Sequence, residues 1–243
     1  MPLHFLLDHP ASASVGDDVV LTGTEAHHAA TVRRVRVGEE VTVGDGRGTW
    51  LTGECTAVGP REVVVRVTGR ADVPPPSPRL VLVQALAKGD RDELAVQAAT
   101  ELGVDEIIPW QAARSVSRWD AAKADKGRAR WAGIVREAAK QAHRAWLPDV
   151  SPLVSTKALT ARAAASRMLV LEPTATEALT ALDLTAAEEV VLVIGPEGGI
   201  TPDELAALAG AGATAARLGD TVLRTSTAGP AAVAIASAAL GRW

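Results

Sequence analysis

The sequence predicts an α/β protein in which a small β-rich domain precedes a larger domain built on a parallel sheet. Three observations predict it. The first seventy or so residues carry short apolar runs separated by turn signals. A proline run, Pro74-Pro75-Pro76-Ser77-Pro78, then interrupts the chain and reads as a stiff linker, because proline at this density fits neither a helix nor a central strand. Beyond it, continuous apolar strands alternate with helices, the pattern of a parallel sheet covered on both faces.

In the first domain, residues 1–73, the apolar runs Val19–Leu21, Val41–Val43 and Val63–Val67 read as strands, with turns at Gly44-Asp45-Gly46 and Gly59-Pro60. In the second, residues 79–243, Arg79–Leu86 is the first strand. Asp90-Arg91-Asp92-Glu93 reads as a capping box opening a helix to Leu102, ended by Gly103. Glu106–Trp110 is the second strand. A long helix from Lys123 to His143 sets Trp131, Val135, Ala138 and Ala142 on its apolar face, and Arg136, Lys140 and Arg144 on another. Arg167–Leu171 and Glu189–Ile194 are the third and fourth strands. Thr201-Pro202-Asp203-Glu204 is a second capping box, with proline where its missing N–H costs nothing, and Gly210 ends that helix. A short strand over residues 213–218 and an alanine-rich helix follow.

The composition is that of a globular protein, 47% hydrophobic and 22% charged. Its longest apolar stretch, Ala228–Leu240, is too short and too weakly apolar to span a bilayer. The start, Met1-Pro2-Leu3-His4, lacks the basic and apolar regions of a secretory signal. One cysteine, Cys55, allows no internal disulfide and no thiolate cluster. These features point to the cytoplasm. The net charge of −4 argues mildly against a nucleic-acid partner, yet between Trp110 and Pro148 nine basic residues face three acidic ones. A local patch of this kind suits a selective RNA binder on an acidic chain, and equally a solvated helix face.

Ligands of parallel α/β sheets bind beyond the carboxyl ends of the strands. Three segments lie there: Leu171-Glu172-Pro173, Ile194-Gly195-Pro196-Glu197-Gly198-Gly199-Ile200, and the stretch from Leu218 to Ala228. The second has neither the lysine and hydroxyl of a phosphate loop nor the GxGxxG spacing, which disfavours nucleotide triphosphates and dinucleotides. Its glycines let backbone approach a flat ligand such as adenine. His27-His28 is a poor metal site, since adjacent residues of a strand face opposite ways and no HExxH occurs, so no metal is expected. Trp146, beside Arg144, is either a base-stacking residue or a core or interface tryptophan.

The stretch Gly195–Glu204, followed by Leu218-Gly219 and Val222-Leu223-Arg224-Thr225-Ser226-Thr227-Ala228, resembles the RsmE family of bacterial methyltransferases, members of the knotted SPOUT class. Lys88-Gly89-Asp90, Gln97–Pro109, Arg114-Ser115, Glu137–Gln141, His27-His28 with Arg34, and Gly44-Asp45-Gly46 are also similar to the family's blocks. The resemblance spans nearly the whole chain. It implies a PUA-like RNA-binding barrel joined to a SPOUT methyltransferase domain with a deep trefoil knot, and a homodimer. It implies S-adenosylmethionine as cofactor and methylation of N3 of a uridine in 16S ribosomal RNA, position 1498 in standard numbering, on the small subunit. The family often has glutamate where this chain has Ser226. Two alternatives stay open: a SPOUT enzyme acting on another rRNA or tRNA site, and a non-catalytic RNA-binding assembly factor, which only the departure at Ser226 favours.

On this reading the cofactor pocket comprises Leu171, Glu172, Gly195, Pro196, Glu197, Gly198, Gly199, Ile200, Leu218, Gly219, Leu223, Arg224, Thr225, Thr227 and Ala228. Arg224 is the candidate to engage a uracil carbonyl oxygen and stabilise developing negative charge; the alternative is an arginine tying down the loop or an interface. Glu197 is either a proton acceptor or a carboxylate bound to backbone N–H groups or an arginine. Arg34, Lys88, Arg114, Arg136, Lys140 and Arg144 are the candidate RNA contacts.

Overall fold

The computed structural model describes residues 2–243. The chain divides into two compact units, Met1–Pro75 with Ala139–Leu147, and Pro76–Ala138 with Pro148–Trp243. The first boundary falls inside the proline run, while the return of Ala139–Leu147 to the first unit has no counterpart in a linear division at the linker. Hydrogen bonds explain the return. Gly48 N–H donates to the Ala145 carbonyl at 3.0 Å, Leu147 N–H to that of Gly46 at 2.9 Å, and the Trp146 indole to that of Val73 at 2.9 Å. Trp146 is thus tied to the backbone of its own unit.

The first unit is a five-stranded sheet of β1 (Leu3–Leu6), β2 (Asp18–Thr22), β3 (Glu40–Gly44), β4 (Thr49–Val58) and β5 (Glu62–Asp72), in the order β1-β3-β4-β5-β2. Alternation sends Val19, Leu21, Val41, Val43, Leu51, Val63, Val65 and Val67 to one face, where they form a core with Phe5. Two register shifts between β4 and β5, at Thr52/Gly53 and Cys55/Ala57, bend the sheet. After β2 comes α1 (Gly23–His27), continued by a π-helical turn, His28–Val32. The strand expected at His27-His28 is therefore absent. Glu25, Ala26 and Ala29 are the buried residues of this stretch, and their spacing is helical.

In the second unit the elements are β6 (Arg79–Ala85), α2 (Arg91–Glu101), β7 (Glu106–Gln111), α3 (Ala121–Gln141), β8 (Asp149–Val150), β9 (Val154–Ser155), α4 (Thr156–Ala163), β10 (Arg167–Leu171), β11 (Glu189–Ile194), α5 (Pro202–Gly210), β12 (Thr214–Ala216) and α6 (Thr225–Ala239). The last residues of α3 group with the first unit. The sheet order is β12-β10-β11-β6-β7-β8, with β9 also on β7. Every pairing in it is parallel. Val81 and Val83 of β6 pack into one core with Leu159 of α4 and Leu208 of α5. Leu82 and Gln84 lie on the opposite face under Gly229 of α6, and α2 packs on α6.

The capping box expected at Thr201–Glu204 forms, with Pro202 in the first turn. The one expected at Asp90–Glu93 does not: Asp90 makes no side-chain cap. Glu93 is drawn instead to Arg130, at 2.6 Å, and the buried Asp92 carboxylate accepts from Ala87 N–H at 3.2 Å. The left-handed residue after α5 is Gly212 rather than Gly210. Helix α3 stops at Gln141, so Arg144 lies beyond it and does not share a helical face with Arg136 and Lys140.

Candidate active site

The C-terminal ends of β10, β11 and β12 release the three segments singled out above, and these enclose a cavity of about 360 Å³. Leu171 and Glu172 follow β10, and Glu172 N–H is held by the Ala216 carbonyl of β12 at 2.9 Å. Gly195, Pro196, Glu197, Gly199 and Ile200 follow β11; Leu218, Gly219, Leu223, Arg224, Thr225 and Ala228 follow β12. All line the cavity. The turn after β11 depends on two glycines. A Cβ on Gly195 would sit 2.7 Å from the Ile200 side chain, and Gly199 has φ +73°. At Gly195 and Gly199 it is therefore backbone that lines the cavity.

Two residues expected in the pocket lie outside its lining. Gly198 faces Arg114, whose guanidinium donates to the Gly198 carbonyl at 3.0 Å. Thr227 is on the exposed side of the first turn of α6. Conversely, Arg91, Pro173, Ile194, Thr221 and Val222 line the cavity without having been singled out as pocket residues. Four of these five fall within the three post-strand segments, so their position was the available signal. Arg91 had none.

Arg91 matters because of Glu197. One Glu197 oxygen accepts from the Arg91 guanidinium at 2.8 Å and from Lys88 N–H at 3.1 Å. Burial opposes ionisation of Glu197, but hydrogen bonds from its own backbone, from Lys88 and from Arg91, together with the Arg91 charge, outweigh it and hold the carboxyl below its usual range. A carboxylate so held is a poor proton acceptor. This geometry matches the second of the two roles open to Glu197, since its carboxylate joins the loop after β6 to the loop after β11. Arg224 is different. It is exposed at the cavity rim, and no carboxylate pairs with it among the described residues.

Among the proposed RNA contacts, Arg34 and Lys88 are exposed. Arg34 occupies the left-handed region at φ 55°. Arg136 and Arg144 are half-buried. Lys140 is a correction. Its ammonium is buried in the first unit, 2.8 Å from the equally buried Glu25 carboxylate and 3.2 Å from His28 Nδ1. A cation already desolvated and paired inside the protein is not available to a phosphate. Among the described residues there is no cluster of His, Cys, Asp or Glu fit to hold a metal ion, and no helix long and apolar enough to cross a membrane.

Comparison with known proteins gives this geometry a family. Residues 74–237 match the model of an RNA methyltransferase domain, and residues 21–68 that of an RNA methyltransferase PUA domain. The chain is 47% identical to the ribosomal RNA small subunit methyltransferase E of Mycobacterium bovis, over 94% of this chain and 89% of that one. It is 33% identical to that of Bacillus subtilis, over 86% and 85%. A Legionella pneumophila structure described as a putative methyltransferase in complex with its cofactor SAM superposes with a TM-score of 0.88 at 29% identity, covering 98% of both chains. A Neisseria gonorrhoeae ribosomal RNA small subunit methyltransferase E, bound to S-adenosyl methionine, superposes at 0.86 with 29% identity and the same coverage. This chain belongs to the ribosomal RNA small subunit methyltransferase E family, within the RNA methyltransferases that carry a PUA domain.

Proposed function

We propose that the protein transfers a methyl group from S-adenosylmethionine to N3 of a uridine in 16S ribosomal RNA, position 1498 in standard numbering, in the small ribosomal subunit. On this reading it works in the cytoplasm as a homodimer with a knotted C-terminal domain. The observation that carries the reading is the convergence of three post-strand loops on one cavity in a member of this family, with an arginine at the rim that no carboxylate pairs among the described residues. The residues present fit the cofactor. About 360 Å³ lies within the range of roughly 300–1,000 Å³ for small-molecule sites. Leu171, Ile200, Leu218 and Leu223 offer apolar walls to a purine, and the glycine-dependent turn offers main-chain groups to its edges.

Bound S-adenosylmethionine supplies a methyl group activated by a sulfonium charge, which disappears on transfer. The chain's residues do the rest. Uracil N3 carries a proton on the Watson–Crick edge, so the target must be unpaired or flipped out to reach the cavity. Arg224 donates to the uracil O2 or O4 and stabilises the negative charge left as the N3 proton passes to solvent at the open rim of the cavity. The apolar walls exclude water from that charge. Glu197 keeps the two loops together through Arg91 and Lys88. Arg34, Lys88, Arg114, Arg136 and Arg144 serve as phosphate contacts, and neutralising any one that does so lowers the slope of log K against log salt by roughly one.

The test is to incubate the protein with methyl-labelled S-adenosylmethionine and small subunits lacking the modification, then to map the labelled nucleoside by mass spectrometry. Label in 3-methyluridine at one 16S site is the expected result. Label in another nucleoside moves the function to a different RNA site. Neither label nor calorimetric binding of S-adenosylmethionine would leave a non-catalytic RNA-binding factor, the reading that Ser226 favours.

A further inference from the structure

We infer that Gln84 is a positioning residue of this active site: through the Thr225 hydroxyl it sets the Gly195 carbonyl and the Arg224-Thr225 turn in register with each other. The inference rests on the function proposed above.

Gln84 stands at the C-terminal end of β6, fully buried, on the sheet face it shares with Leu82 beneath Gly229 of α6. It does not line the cavity. Its Nε2 donates to Thr225 Oγ1 at 2.8 Å and to the Ala85 carbonyl at 3.2 Å. A carbonyl only accepts, so the second bond fixes which end of the amide carries the protons. Thr225 Oγ1 accepts from Gln84 and donates its own proton to the Gly195 carbonyl at 3.1 Å. The relay therefore has one direction. It runs from the middle of the sheet, through the first residue of α6, to the start of the turn after β11.

Stability alone does not call for an amide here. Gln84 Oε1 is buried with no hydrogen-bond partner among the described residues, and an unmet buried acceptor is unfavourable. Methionine or leucine would fill the same apolar face without that cost. Helix α6 also lies so close that a Cβ on Gly229 would be 3.2 Å from Gln84 Oε1 and 3.3 Å from Leu82. What the amide achieves is orientation. Thr225 adjoins Arg224, and Gly195 opens the main-chain wall, so one hydrogen-bonded chain couples the charge at the rim to the backbone that faces the ligand.

The test is a mutant cycle on the full-length protein with Gln84→Met, Thr225→Val, Thr225→Ser and the Gln84→Met/Thr225→Val pair. S-adenosylmethionine affinity is read by calorimetry and thermal stability by melting without ligand, with KM for small subunits as a third readout. Gln84→Met is expected to weaken S-adenosylmethionine binding roughly tenfold, about the value of one buried hydrogen bond. Its ligand-free melting temperature and its KM for the subunit should not change for the worse. Thr225→Ser, which keeps the hydroxyl, should lose less than Thr225→Val. The pair should lose no more than Thr225→Val alone, because both changes cut one relay. The inference is overturned if Gln84→Met binds like wild type, if the two losses multiply, or if lost affinity tracks lost melting temperature. Should Gln84→Met fail to fold, equal binding by Thr225→Ser and Thr225→Val overturns it. Wild-type protein that binds no S-adenosylmethionine sinks the proposed function and this inference together; a binding wild type with unchanged variants sinks only the inference.

Discussion

At the N-terminal ends of the parallel strands, charged side chains close on one another. Arg162, at the end of α4, pairs with Glu106 at the start of β7 at 2.6 Å and with Glu189 at the start of β11 at 2.7 Å. Arg79 of β6 reaches Glu106 at 3.2 Å and Asp149 of β8 at 2.7 Å. Burial opposes ionisation of Glu106, but hydrogen bonds from Arg162 and Ser151 and the nearby guanidinium charges hold it below the usual carboxyl range. At the other end of β10, β11 and β12, Arg224 has no such partner among the described residues, and glycine-shaped backbone faces an open cavity. The difference teaches how one sheet serves two demands. Partners that are satisfied internally hold strands together, and groups left unsatisfied are the ones a ligand can use.

The largest effect should come from breaking the closed end. Arg162→Met leaves Glu189 without its cation and Glu106 with Arg79 alone, and should cost about 3–5 kcal/mol of stability, measured by chemical denaturation. A loss below about 1 kcal/mol would mean the network is not what holds the strand ends. Arg224→Ala probes the open end and should lower kcat by about 10²–10³-fold, with melting temperature and S-adenosylmethionine affinity little changed. Near-normal turnover with cofactor bound would return Arg224 to a structural role.

Acid separates the closed end of the sheet from the first unit. Burial, His143 and Lys140 lower the His4 pKa from 6.5 to about 3, and its Nδ1 lies 2.9 Å from Thr42 Oγ1. A lowered histidine pKa means the unfolded chain takes the proton first. Stability is therefore full above pH 6.5 and falls as the pH drops towards 3, by about 2 kcal/mol between pH 6.5 and 5. The Glu106 pKa is also lowered, so its contribution is complete above the ordinary value of 4.5 and is lost only as the pH falls through the depressed value. Calorimetry across pH should show His4→Phe removing the first loss and Arg162→Met altering the second. The smallest effect should be that of Glu197→Gln, a few-fold loss of S-adenosylmethionine affinity with the pH profile of the rate unchanged. A rate that loses its alkaline-rising limb would instead make Glu197 the base.

Much of the fold was legible. The apolar runs over residues 79–86, 106–110, 167–171 and 189–194 became β6, β7, β10 and β11 with at most one residue of difference at an end. The capping residues placed α5. The cavity was legible too, because loops after parallel strands are where such sheets take ligands. What the chain order hid were pairings between distant charges. Arg91 and Glu197 are 106 residues apart, and Lys140 and Glu25 are 115. In one dimension a lysine destined for a buried ion pair looks like a lysine destined for solvent. That is why Lys140 read as an RNA contact, and why the role of Glu197 stayed open.

The sequence by itself determined the four strands β6, β7, β10 and β11, the bounds of α2, α3 and α5 to within two residues, the glycine-dependent turn and most of the residues that open onto the cavity. Each depends on local preference or on hydrophobic period, which neighbouring residues specify. Only the tertiary structure decided which polar groups are satisfied. It joined Gln84 to Thr225 and Gly195, clamped Glu197 with Arg91, buried Lys140 on Glu25, and left the Arg224 guanidinium with no carboxylate partner among the described residues. Hydrogen bonds and ion pairs depend on distances of about 3 Å between groups, and those distances exist only once the chain is folded.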